Sequence, residues 1–290
     1  MGSNMVERLC EKKHKISAYD INELARERIH NITGATACSD YRSLINSLPN
    51  DEPRVIWLMV PSFTVVDLVN NLIPLLNKGD IIIDGGNTNF NHSIETANKL
   101  RKYEIEFVDV GVSGGPAGAR SGACMMIGGN KEVFQEIEPL FMDLCVSDGY
   151  AHVGPIGSGH FVKMVHNGIE YGMMQSIAEG FNVMKQSDFN LDLTKVAKVY
   201  GHGSVISSAL MDWLYDGYKK FGEDLETISG EVSHSGEGEW TVEYAKSINQ
   251  PVEIIDKSLQ FRKDSTGNPS YTGKVVSMLR NMFGGHEVNK

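Results

Sequence analysis

Lys163, His166, Asn167 and Glu170 stand in the run HFVKMVHNGIEYG at 160–172, polar side chains at helical intervals inside an otherwise apolar stretch. Residues three, four and seven apart share one face of a helix. Lys163, Asn167 and Glu170 therefore form a stripe whose ends lie about 10 Å apart, at roughly 1.5 Å per residue. A small molecule fits between them. An amine that can be neutral and a carboxyl that can be protonated, held across one bound molecule, supply the proton transfers needed at two carbons of a sugar acid. The bland alternative is a half-exposed amphipathic helix with solvated charges. Exposed stripes usually carry many charges, whereas this one carries few and lies beside Gly168 and Gly172.

The elements that must position this stripe begin with alternating short β-rich runs and helical stretches, continuing to about residue 153. Strands are predicted over 14–19, 54–60, 80–83, 104–110 and 123–127, and helices over 21–31, 39–48, 63–77, 91–102 and 130–145. Continuous apolar runs such as VIWLMV and DIIID predict strands buried on both faces of a parallel sheet. In open sheets of this kind ligands bind outside the carboxyl ends of the strands. The unusual residues gather there: Asp20 ends one strand, Met59, Val60 and Pro61 a second, and Asp84, Gly85, Gly86 and Asn87 a third, while Val112, Ser113, Gly114 and Gly115 follow a fourth. Their concentration favours a cleft over scattered turns, although Ser113 to Gly115 also suit a tight turn with ordinary polar caps.

The Gly- and Pro-rich GPIGSG at 154–159 breaks the pattern. Beyond it helices dominate, first a long periodic stretch over 160–187 and then segments near 193–200, 204–220, 240–248, 251–263 and 272–282. The predicted fold class is an α/β Rossmann-like parallel-sheet domain over 1–156 followed by an all-α domain over 157–290, the Lys163 helix opening the second domain against the mouth of the first.

A dinucleotide-binding unit has a first strand, a G-x-G-x-x-G turn, a helix opening on the pyrophosphate, and an acidic residue about twenty positions further on. Only the back half is visible here. Gly2 begins MGSNMVERLCEKK, which reads as the helix after such a turn, and Asp20 in SAYDIN stands where the ribose-binding acid belongs. An equally ordinary role for Asp20 is the N-cap of a helix starting at Ile21. As a ligand, its carboxylate would accept hydrogen bonds from a free ribose diol and repel a 2′-phosphate, favouring NAD over NADP. No Arg adjoins it in sequence, though Lys12, Lys13 and Lys15 soften that preference.

With 290 residues and 41% hydrophobic content, the chain can build one large or two ordinary domains. A formal charge of −10 argues against non-specific nucleic-acid binding, which needs a net basic face, so any anionic substrate must meet a local cluster of cations. Cys10, Cys38, Cys124 and Cys145 show no CxxC pair or metal-ligand spacing, and the first residues do not resemble a signal peptide. They read as free thiols in a reducing cytoplasm. No apolar run approaches the roughly eighteen residues of a membrane span. Neither nucleic acid nor a membrane is an expected partner.

DGGNTNF at 84–90, DVGVSGGPAGARSGACMMIGG at 109–129, GSGHFVKMVHNGIEYGMMQ at 157–175, SGEGEWT at 235–241 and RNMFGGH at 280–286 follow one another along the chain. In these motifs and their order it resembles the decarboxylating 6-phosphogluconate dehydrogenases, particularly their shorter bacterial-type branch, through nearly its whole length. The related β-hydroxyacid dehydrogenases share the glycine-rich loop and the Lys but not HNGIEYG. The resemblance implies oxidative decarboxylation of 6-phosphogluconate to ribulose 5-phosphate with reduction of NAD or NADP, in the pentose phosphate pathway and gluconate utilization, without a metal.

It also implies roles. Lys163 would take the proton of the C3 hydroxyl, and Glu170 would protonate the enediol at C1 after CO₂ leaves. Asn87, Ser113, Gly114, Gly115, His166 and Asn167 would hold the substrate carboxylate and hydroxyls. Arg262 and Arg280, helped by the Tyr171 and Thr241 hydroxyls, would take the 6-phosphate, for which a guanidinium fork is suited; either Arg, judged alone, is better explained by a surface ion pair. His286 matches a tail histidine that contacts substrate in the family, where the tail reaches a neighbouring subunit, implying a homodimer or homotetramer. Gly2, Asp20, Met59, Val60, Pro61 and Asn87 would meet the cofactor.

Two departures stand out. The chain starts inside the fingerprint, so the family's opening strand and first two glycines are missing, and loss of a central strand leaves backbone donors and acceptors unpaired on both neighbours. The expectation is a truncated start and weak NAD binding. Glu239 in GEGEW occupies a place where the family carries Arg or Lys, and a carboxylate there would repel a dianion unless its side chain turns away or another cation compensates. Two other readings follow: a dehydrogenase for another β-hydroxyacid, and a non-catalytic relative that binds sugar phosphate or assembles with an intact enzyme.

Overall fold

Strand and helix alternate through the first of two units into which the chain divides, Met1–Lys163 and Met164–Lys290. The computed structural model describes residues 1–288. In order, the first unit contains α1 (Gly2–Glu11), β1 (Ile16–Ala18), α2 (Glu23–His30), β2 (Ala35–Ala37), α3 (Tyr41–Asn46), β3 (Val55–Leu58), α4 (Val65–Leu72), β4 (Ile81–Asp84), α5 (Phe90–Leu100), β5 (Glu106–Ser113), α6 (Gly115–Ser121), β6 (Ala123–Gly128), α7 (Lys131–Leu144), β7 (Cys145–Gly154) and the start of α8 (Ser158–Lys185). All four cysteines are free.

The strands form two sheets. β1 pairs in parallel with β2 alone, and a second sheet runs β3-β4-β5-β6-β7. Within it every pairing is parallel except β5 with β6, so the sheet is mixed and not uniformly parallel as the apolar runs suggested. β4 is buried along its whole length, as expected of a strand covered on both faces.

Among the described residues no strand lies on the second edge of either β1 or β3. α1 packs against both sheets: its Met5 and Leu9 share an apolar cluster against which Ile16 of β1 and Val55, Trp57 and Met59 at β3 all pack. The strand that precedes Asp20 and the strand that precedes Met59 thus lie in different sheets joined through α1.

Several boundaries differ from the sequence pattern for local reasons. α2 starts at Glu23, because the Asn22 side chain accepts the Leu24 N–H and caps it. α4 stops at Leu72 and gives way to a 3-10 turn at Ile73–Leu75 that contains Pro74, a residue with no N–H for a continuing helix. α6, within the glycine-rich loop, and the strands β2 and β7 carry no apolar periodicity and were not expected.

In the second unit α8 continues, followed by α9 (Leu193–Tyr200), α10 (Ala209–Phe221), α11 (Glu237–Ser247), α12 (Glu253–Asp264) and α13 (Tyr271–Gly284). No strand occurs there among the described residues. Its core joins Met174, Ala178 and Phe181 of α8 with Leu214 and Tyr218 of α10 and Val275 and Met278 of α13. The fold is therefore a Rossmann-like sheet unit followed by a helical unit.

Candidate active site

Lys163 is positioned by β5. Asp109, fully buried on that strand, accepts the Gly157 N–H at 2.7 Å through Oδ1 and the His160 N–H at 2.8 Å through Oδ2, and so satisfies the opening of α8. Burial raises the Asp109 pKa, against the opposing pull of His160 and the backbone donors. Ser93 Oγ and His160 Nδ1 hydrogen-bond at 2.7 Å, and Phe90 meets Phe161 edge-on at 5.3 Å. A Cβ at Gly159 would come within 2.6 Å of Met126 O, and one at Gly111 would overlap Lys163 Cβ. Only glycines allow the helix this close to the strand, and the approach sets Lys163 directly over Gly111.

At the end of β5, Ser113 leads into Gly114 (φ 110°) and Gly115 (φ 60°), consecutive residues in conformations that favour glycine. Other candidates gather at the ends of β3 and β4. A Cβ at Gly2 would lie 3.6 Å from Met59 Cβ, one at Gly85 2.9 Å from Met59 Sδ, and one at Gly86 2.9 Å from Val60 O. Asp84 Oδ1 accepts the Gly86 N–H at 3.0 Å. Pro61 and Asn87 are exposed beside them.

Asp20 is exposed after β1 and does not cap α2; its Oδ1 accepts the Asn22 N–H at 2.8 Å, forming a local turn. An arginine does stand beside it. Arg26 Nη1 donates to Asp20 O at 2.7 Å and to Ile21 O at 3.1 Å, so a guanidinium lies against the backbone of Asp20. Its six-residue separation from Asp20 crosses a helix start, which is why immediate neighbours gave no sign of it.

In the second unit, His166 Nδ1 lies 3.0 Å from Asn167 Oδ1 and 3.9 Å from Glu170 Oε2, all on α8. One turn on, the Tyr171 ring lies under the Arg262 guanidinium at 3.3 Å and against Gly238, where a Cβ would collide with it. Arg262 and Arg280 are both buried, so neither is the surface ion-pair residue that their types alone allowed. Burial, with Arg280 nearby, pushes the Arg262 pKa down to about 10, and burial lowers that of Arg280. Arg280 Nη1 donates to Ser233 Oγ at 2.7 Å. Burial and then Arg280 lower the pKa of His286, whose carbonyl accepts from Asn281 Nδ2 at 2.8 Å.

Thr241 and Glu239 are each tied to neighbours within the second unit. The single proton of the Thr241 hydroxyl is committed to Met164 O at 2.8 Å and Glu237 O at 2.9 Å, so it clamps α11 to α8 at Gly168 and is not a spare phosphate donor. Glu239 pairs with Lys263 at 2.5 Å, which lowers its pKa, so its charge is answered by a cation on α12. Glu237 is buried at the start of α11, whereas a charged side chain in GEGEW reads as solvated.

Residues 1–154 match the NAD binding domain of 6-phosphogluconate dehydrogenase, and residues 159–272 match the 6-phosphogluconate dehydrogenase C-terminal domain. Over 292 residues the chain is 42% identical to YqeC of Bacillus subtilis (strain 168), provisionally named a 6-phosphogluconate dehydrogenase, covering 100% of this chain and 96% of that protein. The chain belongs to the 6-phosphogluconate dehydrogenase family. It is 36% identical over 290 residues to the NAD(+)-dependent, decarboxylating 6-phosphogluconate dehydrogenase of Haloferax volcanii, with 99% and 95% of the two chains covered. Among solved structures, Plasmodium falciparum 6-phosphogluconate dehydrogenase, determined in apo form and in complex with NADP+ and with 6-phosphogluconate, superposes with a TM-score of 0.79 at 25% identity, over 98% of this chain and 68% of that one. Salmonella typhimurium 3-hydroxyisobutyrate dehydrogenase shares the fold, with a TM-score of 0.72 at 16% identity and 95% of each chain covered. In this 6-phosphogluconate dehydrogenase relative no group of three His, Cys, Asp or Glu side chains is arranged for a metal among the described residues, and none of the described helices is long and apolar enough to cross a membrane.

Proposed function

We propose that this protein oxidatively decarboxylates 6-phosphogluconate to ribulose 5-phosphate with reduction of NAD or NADP. The observation that carries the proposal is one unbroken helix, α8, bearing Lys163 and Glu170 seven residues apart. The residues present fit a nicotinamide dinucleotide in part: Asp20 and Arg26 at the ribose end, and the close-packed backbone of Met59, Val60, Gly85 and Gly86 with Pro61 and Asn87 beside it. Gly2 opens the helix of that site. When bound, this cofactor supplies a hydride acceptor.

Lys163, as the free amine, accepts the proton of the C3 hydroxyl during oxidation. The resulting β-keto acid loses CO₂, and Glu170 donates a proton to C1 of the enediol. Ser113, Gly114, Gly115, Asn87, His166 and Asn167 hold the carboxylate and hydroxyls. Arg262 and Arg280, with the Tyr171 hydroxyl and His286, take the phosphate. Asp20 favours a free ribose diol while Arg26 suits a 2′-phosphate, so both cofactors are accepted. A cytoplasmic homodimer or homotetramer serving gluconate utilization completes the proposal, and light scattering on the purified protein tests its assembly.

The deciding assay follows NADH or NADPH formation together with CO₂ release from 6-phosphogluconate. Stoichiometric release supports the proposal. Turnover of unphosphorylated β-hydroxyacids with none of 6-phosphogluconate would replace it with a dehydrogenase of that wider class.

A further inference from the structure

Glu237 is 2% exposed, and its Oε2 has no hydrogen-bond partner; the same is true of Tyr171 Oη and Arg262 Nη2. Buried charges are ordinarily paired or hydrogen-bonded, yet among the described residues no ion pair within 4.0 Å joins Glu237 to Arg262 or Arg280. Geometry links these groups: Gly238, next to Glu237 on α11, lies against the Tyr171 ring, which sits 3.3 Å under the Arg262 guanidinium. Burial is the largest influence on Tyr171, Arg280 and His286, and the charge of Glu237 acts on all three. Glu170 of α8 acts on both Arg262 and Arg280, and His234, before α11, acts on Glu239. Two guanidinium groups will draw an anion here. That anion then meets a carboxylate with an unanswered oxygen.

An ionised phosphate and an ionised carboxylate are both acceptors only. They can sit side by side only with a proton between them. We propose that the substrate's phosphate binds here with one proton held between it and Glu237 Oε2, so that binding takes a proton from solution. The proposal rests on the reading of 6-phosphogluconate as substrate. A phosphate monoester has its second pKa near 6, so at neutral pH it arrives largely as a dianion; dianion, carboxylate and one solvent proton combine, and no bond of the substrate changes. Glu237 thereby selects the protonated form of the terminal anion. Glutamine in its place carries its own N–H donor and needs no proton.

The test is calorimetry of 6-phosphogluconate binding to the full chain in buffers of differing ionisation heat, from about pH 6.5 to about pH 8.5. The variants are Glu237→Gln and His286→Asn, and gluconate serves as the ligand without the phosphate. Expected for the unaltered chain is uptake of about one proton per ligand, with Kd weakening about tenfold per pH unit at the alkaline end. Glu237→Gln should abolish the uptake and flatten the profile, His286→Asn should retain it, and gluconate should show none. Binding without uptake overturns the proposal, as does uptake that survives Glu237→Gln or accompanies gluconate. Uptake lost in His286→Asn places the proton on the imidazole and overturns it too. Should Glu237→Gln fail to fold, Glu237→Ser, which carries a hydroxyl donor and no carboxyl, takes its place with the same expected and overturning results. If 6-phosphogluconate does not bind the unaltered chain at all, the substrate reading falls and takes this proposal with it, whereas binding without a proton removes this proposal alone.

Discussion

The two units differ in what they leave unanswered. In Met1–Lys163 these groups are the second edges of β1 and β3, where no strand pairs among the described residues, together with buried side-chain atoms of Trp57, Asp84, Thr88, Ser158 and His160; in Met164–Lys290 they include Glu237 Oε2 and Arg262 Nη2. An open strand edge can hydrogen-bond to water, whereas a buried charge without a partner has no such recourse. Asp84 Oδ2 is the carboxylate oxygen in that position in the first unit, while the second unit holds unanswered groups of both signs. The second unit therefore says more about recognition of a charged ligand, and the first about placement, through the Asp109 contacts and the glycine beneath Lys163.

That division of labour can be broken by measurement. Lys163→Met removes the proposed base and should lower kcat about 10³-fold while KM moves little; a fall in affinity alone would make Lys163 a binding residue. Gly111→Ala adds one carbon where Lys163 Cβ already lies, and displacement of the amine should cost about 10²-fold in kcat. An unchanged rate would show that β5 does not place the base.

Moving to the second unit, Arg262→Met should raise KM for 6-phosphogluconate about 30-fold, consistent with roughly 2 kcal/mol for truncating one partner of a buried charged hydrogen bond. The same variant should leave unphosphorylated β-hydroxyacids within about twofold. Equal losses for both substrates would contradict a phosphate-specific role.

Asp109→Asn keeps one acceptor for two N–H groups and should destabilise the first unit by about 1–3 kcal/mol in thermal unfolding. Because burial raises the Asp109 pKa in the folded protein, the folded state holds that proton more tightly than the unfolded chain. The unaltered protein then loses stability as pH rises from the ordinary carboxylate range through the folded pKa, and the gap to the Asn variant narrows over that interval. A gap independent of pH would mean the group does not titrate there. Smallest of all, Glu239→Gln should shift KM less than about twofold, since an exposed pair such as that with Lys263 is worth little; a tenfold drop would return Glu239 to the phosphate site.

Much of the architecture was legible because burial leaves a periodic mark. IIID reads as a strand covered on both faces, and the helix over 193–200 was read to its final boundaries because its apolar residues recur at helical spacing. β2 has only three residues and β7 is half exposed, so neither carries an apolar rhythm. The stripe on α8 could be read because spacing alone defines one helix face. Asp109 could not, since its partners lie 48 and 51 residues away and nothing local distinguishes a buried cap from a strand-end acid. Glu237 and Arg26 were hidden for related reasons: the first is charged yet buried, and the second reaches back across a turn to the backbone of Asp20.

Because α8 is continuous from Ser158 to Lys185, helical pitch alone fixes the interval between amine and carboxyl. Inserting one residue between them would swing Glu170 about 100° around the axis instead of lengthening the gap. Under the proposed roles, longer or shorter acids are not reached by changes along the helix. On that proposal, new substrates are admitted by altering what greets the molecule's far end, leaving the chemistry inherited and only the recognition negotiable.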